Sequence, residues 1–150
     1  MEIEIRNYDK KFEPLLLRFL GNCLPESGRS LDIDGRHSFY KDISKHFDIF
    51  LCMFCGDEII GTVAVRKMNN NNCELKSLYL LEKYQGRGHG RTMLEAAIDF
   101  ARKYGYKRMY LDSLSTSKRA LKLYRTAGFT DTEKYNDSKF SDVFMVLELK

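Results

Sequence analysis

The chain has 150 residues, 43% hydrophobic and 31% charged, and a net charge of +4. That length supports one domain with a real core, expected to span residues 1–150, and the composition is ordinary for a soluble globular protein. No dense Lys/Arg run marks a nucleic-acid binder, no apolar run approaches the ~18 residues of a membrane span, and the opening Met1-Glu2-Ile3-Glu4 is unlike a signal peptide, so a cytoplasmic protein without nucleic-acid or membrane partners is expected.

Residues 2–8 alternate around Ile3 and Ile5 and predict a first strand. Asp9 is placed to cap a helix with Phe12, Leu15, Leu16, Phe19, Leu20 and Cys23 on one face and Pro14 in its first turn. Residues 24–35 carry Pro25, Gly28 and Gly35 and predict a loop. A second amphipathic helix is expected around Phe39, Ile43 and Phe47. Residues 48–55 and 58–67 predict two strands joined at Gly56-Asp57. A polar turn of asparagines, residues 69–72, leads into a strand over residues 74–81. Along it Glu74, Lys76, Leu78 and Leu80 are expected on one face, with Leu75, Ser77, Tyr79 and Leu81 on the other. A Gly-rich turn, Gln85-Gly86-Arg87-Gly88-His89-Gly90, precedes a helix carrying Leu94, Ala97, Ile98 and Ala101 and stopping at Gly105. Residues 107–112 predict a strand parallel to the previous one, reached by a right-handed crossover. Ser115 or Thr116 would cap a last helix bearing Ala120, Leu123, Tyr124 and Ala127, ended by Gly128. Residues 129–136 and 142–149 predict a closing hairpin. The expected class is α/β (α+β), β-α-α-β-β-β-α-β-α-β-β, a mixed twisted sheet of about seven strands with helices on both faces.

The four cysteines are dispersed. Cys52 and Cys55 form a C-x-x-C, but no second pair and no paired histidine spacing accompanies it. Buried thiols are expected, and no metal.

Alternate glycines are costly in a regular element, but they let a backbone come close to a ligand with its N–H groups exposed. At the start of a helix such a turn is a ready phosphate site. Two common signatures fail. The dinucleotide G-x-G-x-x-G would need glycine at Arg91, and the P-loop would need glycine at Gln85 and lysine at Arg91. What fits is Q-x-x-G-x-G on Gln85, Gly88 and Gly90. With Leu78-Tyr79-Leu80 before it and Ala120, Tyr124, Gly128 and Phe129 after it, the stretch from Cys73 to Phe129 resembles the GCN5-related N-acetyltransferases. Glu82, where many members have proline, and Ser117, where many have asparagine, depart from the pattern.

The resemblance implies an acetyl-CoA-dependent N-acetyltransferase, with acetyl-CoA as co-substrate and a small-molecule or peptide amine as acceptor. The pyrophosphate would lie on the amides of Gln85, Gly86, Arg87, Gly88, His89 and Gly90, with Arg91 and Ser117 near it. The pantetheine arm would lie along Leu78, Tyr79 and Leu80, where a bulge splays the strand, and the Leu80 amide would face the thioester oxygen. Tyr124 is the candidate general acid, or else a core aromatic. Glu74 is the candidate base, directly or through water, or else a solvent-facing strand residue. It lies roughly 20 Å from Leu80 along an unbroken strand. The variable position of His89 argues against a base there. The acceptor would meet residues 24–47 and 134–142, where Glu26, Asp32 and Asp34 stand as candidates to attract a cation. A non-catalytic acyl-CoA sensor of the same fold is the alternative, and a homodimer through the C-terminal strands is compatible with the pattern.

Overall fold

The computed structural model describes residues 2–149; Met1, at the head of the polar opening segment, lies outside the described residues. Seven strands form one mixed sheet: β1 (Ile3–Asn7), β2 (Ile49–Cys55), β3 (Glu58–Lys67), β4 (Asn72–Leu80), β5 (Arg108–Ser113), β6 (Thr130–Asp131) and β7 (Val143–Glu148). Their spatial order is β1-β2-β3-β4-β5-β7-β6. Among the described residues four α-helices accompany them: α1 (Glu13–Glu26), α2 (Ile43–His46), α3 (His89–Tyr104) and α4 (Lys118–Ala127). β4 and β5 pair in parallel, and α3 makes the crossover between them. The central strands are apolar on both faces because both are covered: β3 is buried from Ile59 to Val65, with α1 and α3 packed on it. α3 buries Met93, Leu94, Ala97, Ile98 and Ala101 and ends at Gly105 (φ 102°). Deleting one such large side chain typically costs about 2–5 kcal/mol.

Several predicted boundaries move. Asp9 caps a 3-10 turn, residues 10–12, by accepting from the Lys11 N–H at 3.0 Å, and α1 begins after it. α1 runs on through Leu24 and Pro25, which were expected in the loop. Leu24 continues the stripe of Leu16 and Leu20 and is buried, and that packing outweighs a proline in the last turn. The second helix shrinks to a 3-10 turn, residues 38–41, and the single turn α2. So short a segment nucleates poorly alone. Its aromatics form a cluster instead, with Phe39 on Tyr40 (4.4 Å) and Phe47 on Phe50 (5.3 Å). The closing hairpin has only two residues in β6. Residues 132–142 form a loop whose Asn, Asp and Ser side chains bond locally, as Ser138 N–H does to Asn136 Oδ1 at 3.0 Å. The cysteines are free; burial pushes the Cys52 thiol up to about 12. Cys52 and Cys55, three apart on β2, turn to opposite faces.

Candidate active site

β4 pairs with β5 only from Asn72 to Glu74. Beyond that point the strands part, and residues 75–80 of β4 and 111–113 of β5 line a cleft of about 1700 Å³. The cause is on the other edge of β4. Ala64 pairs with Lys76 but Thr62 with Tyr79, so β4 carries one extra residue there. Ser77 takes φ 55° inside this bulge, a left-handed conformation unusual without glycine. Two bonds hold it. The Thr62 hydroxyl donates to the Ser77 carbonyl at 2.7 Å, and the Ser77 and Tyr40 hydroxyls share a bond of 2.7 Å.

The extra residue breaks the expected alternation. Opposite the bulge, Arg66, Ala64 and Thr62 pair with Glu74, Lys76 and Tyr79, so Tyr79 shares the face of Glu74 and Leu80 turns to the other. The Leu81 N–H donates to the Ile60 carbonyl at 3.0 Å. In that register the Leu80 N–H points away from β3, toward the opening beside β5. The Leu80 carbonyl accepts from Gln85 Nε2 at 2.9 Å, tying strand end to turn.

In the turn, Gly86 (φ 81°) and Gly88 (φ 86°) are left-handed. The first bond of α3 is from Thr92 N–H to the Gly88 carbonyl, 3.1 Å, so the N–H groups of His89, Gly90 and Arg91 have no acceptor within the helix. A side chain at Gly88 would meet nothing within 4 Å, so a ligand can approach there. Exposed N–H groups at a helix start suit a phosphate or pyrophosphate. Gln85 and Gly90 line the cleft, while Gly86, Arg87 and Gly88 are exposed. The Arg87 guanidinium lies 5.9 Å from the Tyr84 ring centroid. Arg91 is paired with Glu95 at 2.9 Å, and His89 is half-buried. Sequence reasoning missed Arg119, which lines the cleft and would lie 3.5 Å from a Cβ at Gly86. Its signal was the Lys118-Arg119 pair heading α4. Ser117 lines the cleft as the N-cap of α4, without a side-chain cap bond. Ser115, an expected cap, instead donates its N–H and hydroxyl to Asp142, both at 2.7 Å.

Tyr124 is buried in α4, edge-on to Phe129 at 5.9 Å, and lines the same cleft. Its phenol is pushed well above the usual range, first by burial and then by Tyr79. Two charges also reach it: Arg29 draws it down and Asp112 raises it.

Glu74 is neither solvent-facing nor free. It is fully buried and does not line the cleft. One oxygen accepts from Arg66 at 2.6 Å, with Lys76 at 3.9 Å. The other accepts from the Tyr135 hydroxyl at 2.5 Å and from Asn136 at 3.5 Å. The solvent-facing expectation is corrected: β4 is covered at that point by the loop before β7, and the carboxylate anchors that loop.

At the other end of the cleft, the loop acids expected to draw a cation are engaged by the chain. Glu26 accepts from the Glu82 N–H (2.8 Å), Asp32 from the Arg36 N–H (3.1 Å) and Asp34 from Lys41 (2.6 Å). Of the three, only Glu26 lines the cleft.

A mixed sheet opened at a bulge, with a helix-start phosphate turn beside the opening, defines the acyl-CoA N-acyltransferase fold. The pattern of the acetyltransferase (GNAT) family matches residues 14–129, and the chain belongs to that family. A fission-yeast relative, the uncharacterized N-acetyltransferase C1271.07c of Schizosaccharomyces pombe, is 35% identical over 92 residues, 60% of this chain and 56% of that protein. The chain therefore spans little more than half of that relative's length. An acetyltransferase of the GNAT family from Staphylococcus aureus Mu50 superposes with TM-score 0.89 at 18% identity, covering 99% of this chain and all of that one. The PaiA N-acetyltransferase of Thermoplasma acidophilum, solved in complex with coenzyme A, superposes with TM-score 0.78 at 22% identity, over 99% of each chain. At these identities the two structures speak for the fold.

Proposed function

We propose that the chain moves an acetyl group from acetyl-CoA to a primary amine of a small molecule or peptide, by direct attack of the amine. The observation that carries this reading is one cleft holding an N–H turned off its ladder, at Leu80, and a buried phenol, Tyr124. The family and the CoA-bound neighbour support it.

Acetyl-CoA supplies a thioester carbonyl already activated toward amines. The N–H groups of residues 85–90, with Arg119 and Lys118, hold the phosphates; the free edge of β4 at Leu78, Tyr79 and Leu80 holds the amide arm. The Leu80 N–H donates to the carbonyl oxygen as it gains negative charge. Tyr124 gives its proton to the sulfur as the carbon–sulfur bond breaks and the carbon–nitrogen bond forms. A raised phenol pKa keeps that proton in place at neutral pH. The ammonium sheds one proton before attack, which leaves through the polar end of the cleft, and the nitrogen gives up a second as the amide forms, which restores the Tyr124 hydroxyl. Glu74 contributes by holding Tyr135 and, at the wall of that end, Asn136. Release of thiol from acetyl-CoA with a panel of amines tests the proposal. Amine-dependent release is expected, and CoA binding without release for any amine would leave a sensor in its place.

A further inference from the structure

Among the described residues, two half-buried charges in the cleft lack a counterion. Arg29, just after α1, lines it with its guanidinium 5.9 Å from the Tyr79 ring centroid, and among the described residues no carboxylate pairs with it. Asp112, near the end of β5, lines it too. Its carboxylate accepts from Asn136 Nδ2 at 2.6 Å and Ser141 Oγ at 2.8 Å, both neutral donors, and from no Lys or Arg. Most other carboxylates of the region are spent: Glu74 on Arg66, Asp142 on Ser115, Glu26 on the Glu82 N–H. Half-burying a charge without a partner is unfavourable unless a ligand supplies one. Both charges line the same cleft as Tyr124 and act on its phenol with opposite sign, so an amine attacking beside Tyr124 enters the space they share.

Accepting the amine-acetylating reading above, we infer that the acceptor is an amine that also carries a carboxylate: Arg29 takes the carboxylate and Asp112 the ammonium. A guanidinium binds a carboxylate through two parallel hydrogen bonds, which also sets its orientation. Asp112 then takes one proton from the ammonium, directly or through water, and so frees the lone pair that bonds to the acetyl carbon. A polyamine would meet Arg29 with like charge and leave it uncompensated.

The test uses matched pairs: amino acids with their amine at different distances from the carboxylate, and the amines left when that carboxylate is removed. Thiol release with acetyl-CoA is measured for both, and binding of both to the CoA complex by calorimetry, which needs no turnover. The amino acid of at least one pair is expected to exceed its amine by about 10- to 100-fold in kcat/KM, the range of a lost charge-assisted hydrogen bond. Arg29→Gln should erase that ratio, Arg29→Lys should restore part of it, and Asp112→Asn should weaken both members of the pair. Preference for bare amines or for spermidine, or a ratio unmoved by Arg29→Gln, overturns the inference and leaves acetyl transfer standing. Binding of an amino acid that is lost in Arg29→Gln, with no thiol released by any amine, sinks the transfer reading and, with it, the acceptor role, and upholds only the amino-acid site at Arg29. No binding and no turnover across the panel overturns both.

Discussion

At Tyr124 two demands coincide, since the ring packs on Phe129 while the hydroxyl belongs to the cleft. Tyr124→Phe keeps the first and removes the second. Its kcat is expected to drop about 10²-fold with CoA affinity unchanged; an unaltered kcat in a folded variant would reduce Tyr124 to a core aromatic. Because burial raises the phenol above its ordinary value near ~10, no loss of rate from ionisation of this acid is expected below about pH 10. Glu74 makes the opposite prediction. Glu74→Gln leaves Arg66 without its ion partner at 2.6 Å and turns an acceptor into a donor facing Tyr135 or Asn136. Breaking a buried pair in this way costs about 3–5 kcal/mol, less here because Arg66 is half exposed. Denaturant titration should show a clear loss of stability. If instead stability holds and kcat/KM falls only at low pH, Glu74 is a base after all.

For the elements, the decisive feature is the phosphate turn and its glycines. Gly88→Val is expected to abolish stabilisation by CoA, because a side chain would occupy the open approach, and to cost about 1–2 kcal/mol for a left-handed non-glycine residue. Gly105 separates the two effects: it is also left-handed, φ 102°, but stops α3 at its far end. Gly105→Ala should lose comparable stability and still show the full CoA-induced rise in Tm. Retention of that rise by Gly88→Val would refute the turn's role. The β4 bulge obeys the same steric rule. Both Ser77→Val and Ser77→Gly lose the bond to Tyr40, but only Val puts a β-branched residue at φ 55°, so it should destabilise more.

Across the whole molecule, stability should respond to ligand and to pH. If CoA binds only the folded chain, CoA at 100 times its Kd adds about 2.7 kcal/mol. The pH response has one named source in His37. It is buried, and its Nδ1 accepts from the Asp32 N–H at 2.9 Å, a bond that needs the neutral ring. Burial first, then the charge of Arg36, holds its pKa below the ordinary ~6.5. A lowered folded-state pKa means the unfolded chain takes up the proton first as the pH drops. The contribution of His37 is thus complete above about 6.5 and is lost as pH falls through the folded value. Unfolding midpoints measured from pH 7.5 to 5 should decline, and the decline should be shallower in His37→Gln. Equal slopes would mean that other groups carry the response.

Local chemistry was legible in the sequence. Glycines at 86, 88, 105 and 128, the apolar stripe of α3 and the apolar runs of β2 and β3 each state their conformation within a few residues. The glycine turn at the start of α3 and the place of Tyr124 on α4 were legible for the same reason, because motif spacing is itself local. Where tertiary packing outweighs propensity, the sequence was silent. Burial of Leu24 carried α1 past Pro25, and an aromatic cluster replaced the second helix. One extra residue at Ser77 reversed the faces of β4, which no alternation pattern reveals. The loop before β7 came back over β4 and turned Glu74 from a strand carboxylate into a buried anchor. Arg29 and Asp112, 83 positions apart in the chain, share a cleft only because the sheet parts between β4 and β5. Charges that far apart in sequence reach one cleft through topology alone.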